Sequence, residues 1–190
     1  MRTILFCCLL LATTAPVSAQ STAASAPVAL AAARASMTGS WQGTLEYRDY
    51  TADRWFGIPF KTRIVDQGDG ATTIRSSDFD DGPKIGIVRI TSVELLDADA
   101  GTVSVGSFRK GRKAEVVTYS VRIDPGARDA EHWTMTEEAT GEDDNRPATL
   151  RLTTVRNGDT IETLKEVDFL DDASSEWLVR NRTRLTRTGV

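Results

Sequence analysis

Beyond residue 8 the sequence contains no cysteine. Without a thiol, residues 9–190 can hold no disulfide, thiolate nucleophile, zinc–thiolate site or iron–sulfur cluster. Histidine is nearly as scarce, His132 being the only one. A histidine-based metal cluster is therefore excluded, and a serine–histidine–aspartate site would have to use His132 as its sole base. After residue 19 no apolar run approaches the ~20 residues that cross a bilayer as a helix. A basic excess is missing too: 23 Lys and Arg stand against 27 Asp and Glu, a net of −4. That balance argues against a dedicated nucleic-acid binder. No phosphate loop, dinucleotide fingerprint or nucleophile elbow occurs.

What is present begins with a leader. Residues 1–19 read MRTILFCCLLLATTAPVSA. Arg2 supplies a positive start, Ile4 to Ala12 an apolar stretch of signal-peptide length, and Val17-Ser18-Ala19 the small residues of a cleavage site. A mature chain starting at Gln20 is expected, exported to the periplasm or secreted. A lipoprotein signal requires cysteine at the cleavage point; Cys7 and Cys8 lie inside the apolar stretch, so lipidation is not expected. Removing Arg2 with the leader takes 23 basic residues to 22 against 27 acidic ones, a net of about −5. Residues 20–37, rich in Ala and Ser, are assigned as a flexible N-terminus; a short helix over Val28 to Arg34 is the alternative, because alanine is the strongest helix former.

From Gly39 onward the texture changes. Short stretches rich in Val, Ile, Thr, Tyr, Phe and Trp alternate with turn signals. Ten strands are expected, near Gly39–Tyr50, Trp55–Asp66, Ala71–Phe79, Lys84–Leu95, Thr102–Phe108, Glu115–Asp124, His132–Ala139, Ala148–Arg156, Thr160–Leu170 and Glu176–Arg187. Asn157-Gly158 is the sharpest turn signal, suited to the positive φ angles of a type I′ hairpin. The expectation is one all-β domain over residues 38–190, an antiparallel up-and-down meander of about eight to ten strands that closes to remove its edges.

A period of two assigns faces. Trp41, Gly43, Leu45 and Tyr47 share one side of the first strand, and Phe56, Ile58, Phe60 and Ile64 one side of the second. Val117, Tyr119, Val121 and Ile123 share another, as do Trp133, Met135 and Glu137, and then Ile161, Lys165, Val167 and Phe169. In the last strand Trp177, Val179 and Leu185 line up with Asn181 and Thr183. His132 falls on the opposite side from Trp133, toward solvent.

Gly39-Ser40-Trp41 at the start of the first strand resembles the Gly-x-Trp signature of the lipocalins and the wider calycin superfamily. The resemblance implies that Trp41 closes one end of the barrel beneath an arginine of the last strand, Arg182 or Arg184. By strand parity both arginines stand opposite Trp177, so that packing requires a twist or bulge near the end. The resemblance also implies a barrel interior that holds a small apolar or amphipathic molecule. Tyr47, Tyr119, Trp133, Met135 and Asn181 are the expected lining. A haem-binding calycin would need an axial ligand; with His132 facing outward, only Tyr47 and Tyr119 offer one, and no cofactor is expected.

Other features read as surface. Asp78, Asp80 and Gly82 resemble the start of a calcium loop, but Arg89 occupies the position where a bidentate glutamate is required; no metal is expected. Glu137, Glu166 and Asp168 are strand acids with no spacing that singles out a catalytic pair. Arg109-Lys110-Gly111-Arg112-Lys113 is a compact positive hairpin tip, suited to an anionic lipid or polysaccharide. The leading function is non-enzymatic ligand binding inside the barrel. A structural or interaction module of the envelope with a side-chain-filled interior is second, and a carboxylate- or tyrosine-based enzyme third.

Overall fold

The computed structural model describes residues 29–189. The leader and the proposed cleavage site lie outside them. Strands run β1 Gly39–Asp49, β2 Arg54–Asp66, β3 Thr72–Asp80, β4 Ile87–Asp97, β5 Thr102–Arg109, β6 Glu115–Ile123, β7 His132–Asp143, β8 Arg146–Asn157, β9 Thr160–Phe169 and β10 Leu178–Gly189. Each pairs antiparallel with its neighbour in sequence, and β1 pairs with β10, so the meander closes into a ten-stranded barrel. Closure removes every unpaired edge. Residues 50–53, 81–86, 110–114, 144–145 and 170–177 connect strands at one end of the barrel. The start of β1 lies at the other.

That other end is closed by a helix, α1, Leu30–Ala35. It realises the helical alternative for the N-terminal segment, so the flexible assignment of residues 20–37 does not hold over this stretch. Alanine favours the turn, and burial holds it: Ala33 and Met37 pack into the core with Trp41, Ile64, Leu96, Val103, Val121, Trp133, Met135, Ile161 and Leu185. Six residues are too few for a stable isolated helix, so tertiary packing has to supply the difference.

The carbonyls just beyond α1 are captured by strand side chains. Trp41 Nε1 donates to Met37 O at 2.8 Å. Arg187 donates to Thr38 O at 2.7 Å and Ser36 O at 3.0 Å, and the buried Arg156 also donates to Ser36 O. These cations satisfy carbonyls that a helix end leaves open and complement its negative pole. Arg187 and Arg156 also flank Trp41, their guanidinium carbons 4.3 and 5.3 Å from its ring centroid. The arginine of the last strand over Trp41 is therefore Arg187 and not Arg182 or Arg184. Arg182 stacks on Trp55 at 4.0 Å and pairs with Glu46, and Arg184 lies 3.6 Å from Glu46.

Three local features shape the wall. A bulge between Val179 and Asn181 shifts the register of β10 against β9. It keeps Asn181, Thr183 and Leu185 inward but turns Val179 outward beside Glu166, and Trp177 packs outside over Arg151 at 3.8 Å. The simple alternation therefore fails for Trp177 and Val179. At Gly43 a Cβ would stand 1.7 Å from the Arg184 carbonyl oxygen, so the crossing of β1 and β10 requires glycine. The hairpin with two positive-φ residues is Asp144 (54°) and Asn145 (59°) between β7 and β8. At Asn157-Gly158 only Gly158 has positive φ, with Gly158-Asp159 forming the loop, so the type I′ expectation fails there.

Removing a buried tryptophan typically costs about 3–5 kcal/mol. Trp41→Ala is expected to lower the denaturant midpoint sharply, because it empties the floor and frees both arginines. Arg184→Ala, on the outer wall, should leave the midpoint within about 0.5 kcal/mol of wild type.

Candidate functional site

The register carries the inward alternation around the barrel. Tyr47, Phe56, Phe60, Arg75, Glu94, Val105, Tyr119, Glu137, Leu152, Lys165 and Asn181 all fall on the interior face. Two regimes follow. Packed apolar core lies near α1, and a second buried cluster, Ala148, Leu150, Val167 and Phe169, stands on the interior face of β8 and β9 toward the other end. Above the first, Leu45, Tyr47, Val105, Tyr119, Leu152, Thr163, Lys165, Asn181 and Thr183 face inward yet remain only half-buried. These side chains face one another across the interior between the two buried clusters.

Between the regimes lies a charged layer. Arg34 projects from α1 into the barrel and is itself buried. Its guanidinium pairs with Glu94, and Nη1 donates to Glu137 Oε1 at 2.9 Å. Arg75 Nε donates to the other oxygen of Glu94 at 3.2 Å. Two carboxylates therefore face two guanidiniums. Burial pushes the Glu137 carboxyl above the usual glutamate range; Arg34 opposes the rise and Glu94 adds to it. Burial likewise raises the Tyr119 phenol, reinforced by the negative charges of Glu137 and Glu115.

Toward the open end a second cluster forms. Lys165 Nζ donates to Asp143 Oδ1 at 2.6 Å, and Arg180 Nε stands 2.7 Å from Oδ2 without the alignment of a hydrogen bond. Two cations thus share one carboxylate. Tyr47 stacks on Phe56 with centroids 5.3 Å apart, and burial followed by the charge of Asp81 raises its phenol.

The expected lining divides accordingly. Tyr47, Tyr119 and Asn181 face the open part of the interior. Trp133 and Met135 are buried in the floor, with Trp133 Nε1 bonded to Ala130 O at 2.8 Å. These two are core because their strand positions lie level with α1. The Arg34–Glu94–Glu137–Arg75 layer was not anticipated. The one usable signal was Glu137 at an inward position beside Trp133 and Met135: an inward carboxylate requires a buried cation.

Other candidates resolve on the outside. His132 Nδ1 lies 2.8 Å from Asp129 Oδ1, away from the interior. Asp78 is held at 2.6 Å through both oxygens by Arg89, and this ion pair holds its carboxyl below the usual range. Among the described residues no group of three or more His, Cys, Asp and Glu is arranged to hold a metal ion. A shallow outer groove of about 890 Å³ is bordered by Gln42, Thr44, Lys61, Asp78 and Ile87. It lies on the wall and brings no set of reactive groups together.

The molecule is a closed ten-stranded antiparallel β-barrel with a helix-plugged end. Its fold is similar to the crystal structure of Rv2717c from M. tuberculosis, with TM-score 0.56, 14% sequence identity, and coverage of 85% of this chain and 99% of that chain. At that identity the likeness establishes the fold alone. No protein-family model and no curated protein matches the sequence.

The raised carboxyl sets a pH dependence. A native pKa above the unfolded value means that the folded state binds the extra proton, so Glu137 ionisation lowers stability as pH rises from the unfolded pKa of about 4.3 through the native one. Glu137→Gln cannot ionise. Measured by denaturant midpoints from acid to neutral pH, the variant should gain on wild type as pH rises through that window. A constant offset would contradict the assignment.

Proposed function

We propose that this protein is exported and binds a small amphipathic molecule inside its barrel, without catalysing a reaction. One observation carries the reading: between the charged layer and the buried Ala148–Leu150–Val167–Phe169 cluster, Tyr47, Tyr119 and Asn181 face inward, half-buried, with their polar groups uncommitted. Tyr47 Oη, Tyr119 Oη and the Asn181 amide make no side-chain hydrogen bond to a described residue, while Leu45, Val105 and Leu152 supply apolar wall. Ligand sites combine an apolar lining with a few placed polar groups. Lys165 and Arg180, sharing only Asp143, suit an anionic head group. The apolar part would then lie deeper, against Leu152 and Val105. The lipocalin-like Gly39-Ser40-Trp41 start agrees with this reading, as does the position of Arg187 over Trp41. The leader motif ending at Ala19 supports export.

Native mass spectrometry of protein purified from its source should show a bound small molecule, and Edman sequencing of the same material should begin at Gln20. An anionic apolar fluorophore such as anilinonaphthalene sulfonate should bind wild type. Leu152→Trp, which fills the interior, should then weaken the fluorophore at least about tenfold while costing under about 1 kcal/mol. In a filled barrel the same substitution would overpack, costing about 1–3 kcal/mol, and wild type would bind no fluorophore; the structural-module reading would replace this one.

A further inference from the structure

The hairpin joining β5 and β6 is the exception to an acidic chain. Arg109, Lys110, Arg112 and Lys113 are all exposed, and none forms an ion pair with a described residue. Most arginines elsewhere in the barrel do, as Arg89 with Asp78 and Arg146 with Asp171 illustrate. Unpaired cations concentrated in one turn create a local positive potential against a net of −4.

Beneath this hairpin the outer wall carries an apolar strip. Val93 of β4, Gly106 of β5 and Val116 of β6 stand on one rung of the sheet. Gly106 has no side chain, and the Phe108 ring comes within 3.4 Å of where its Cβ would be. Val93, Phe108 and Val116 therefore form a continuous strip, 37%, 48% and 72% exposed. Ile87, at the adjacent end of β4, is 61% exposed, and Ile85 in the 81–86 loop is 68% exposed beside Lys84. Thr91 and the Arg89–Asp78 pair separate these two isoleucines from the strip, so the edge carries two exposed apolar patches around the cationic turn, and exposed apolar patches beside a charged rim mark an interaction site.

We infer that this edge of the barrel's open end docks onto a bilayer surface bearing anionic lipids. The cations meet the headgroups, and Phe108, Val116, Ile85 and Ile87 enter the interfacial region. An anionic polysaccharide would engage the hairpin but leave the apolar strip in water, so the pairing of the two features favours lipid. Docking turns the end of the barrel opposite α1 toward the membrane. The inference does not depend on what the interior holds.

The test uses protein purified in the processed form that accumulates in its source. It should co-float with vesicles of phosphatidylcholine containing phosphatidylglycerol, be released by salt, and bind poorly to phosphatidylcholine alone. Attraction of about fivefold per cation near a charged surface means that Lys110→Ala with Arg112→Ala should weaken binding about 25-fold. Phe108→Ser with Val116→Ser should weaken it about tenfold or more while leaving the salt dependence in place. All four side chains are exposed, so circular dichroism should match wild type. Wild type that stays out of the anionic vesicle fraction at low salt overturns the inference whatever the variants do. So does equal binding to neutral vesicles, or retention on an anionic polysaccharide column without flotation. The fluorophore experiment is read separately: these variants should bind it as wild type does, so either proposal can fail alone.

Discussion

A guanidinium inside a barrel has to be met by carboxylates, and much of this molecule is arranged around meeting that of Arg34. Moving an ion into a low-dielectric interior costs several kcal/mol even after relaxation. Glu94 and Glu137 approach it from β4 and β7, and Arg75 balances the second negative charge. Removing one carboxylate would leave a buried charge without compensation, a loss of about 3–5 kcal/mol. An apolar layer of equal volume would be about as stable, so the network is better understood through position than through net energy. It ties a six-residue helix, which has no stability of its own, to strands 60 and 103 residues away in sequence. Which end of the barrel is closed follows from that tie.

The two ends differ in how completely they satisfy their polar groups. At the closed end the carbonyls of Ser36, Met37 and Thr38 each have a donor, from Arg156, Trp41 or Arg187. Thr62 and Ser77 bond each other at 2.8 Å. Beyond the charged layer, Tyr47, Tyr119 and Asn181 have no such partners. Buried polar groups without partners are costly, and these three stay only half-buried. The asymmetry arises from the plug rather than from the wall, since the same period-two alternation lines both halves.

That alternation was legible because it is local. Ten strands and their turns could be read from composition and spacing, and the inward faces of β1, β2, β6, β7 and β9 followed from parity. Parity fails where a local rule cannot see a distant cause. The bulge near Arg180 leaves no mark in the sequence and reverses Trp177 and Val179. Arg187 escaped because any of several arginines in β10 fits a resemblance that specifies only the residue type. The helix was legible only as an alternative, over Val28 to Arg34, because Leu-Ala-Ala-Ala-Arg-Ala has no sustained amphipathic period and only packing against the barrel distinguishes it from a tether. Trp133 and Met135 were assigned the correct face but the wrong depth. Depth along a strand depends on where the plug stops, and alternation carries no information on that.

Ten strands make a wide barrel. With about eight, side chains can just fill the interior; with ten, something else must. Here the chain fills the lower half with its own helix, an arginine and a floor of large apolar residues. In the upper half Ala148, Leu150, Val167 and Phe169 pack together on one side, while Leu45, Val105 and Leu152 face inward incompletely covered. Leaving apolar surface in contact with water forgoes about 25 cal/mol for each Å². An occupant that covers these side chains recovers that energy. It must also leave the Lys165 and Arg180 cations solvated or paired, since stripping their water without replacing it would cost more than the apolar contact returns. A purely apolar molecule satisfies only the first demand and a small ion only the second. An amphipathic anion satisfies both, which is why the mixed chemistry of the upper wall supports such a ligand better than the width of the barrel alone would.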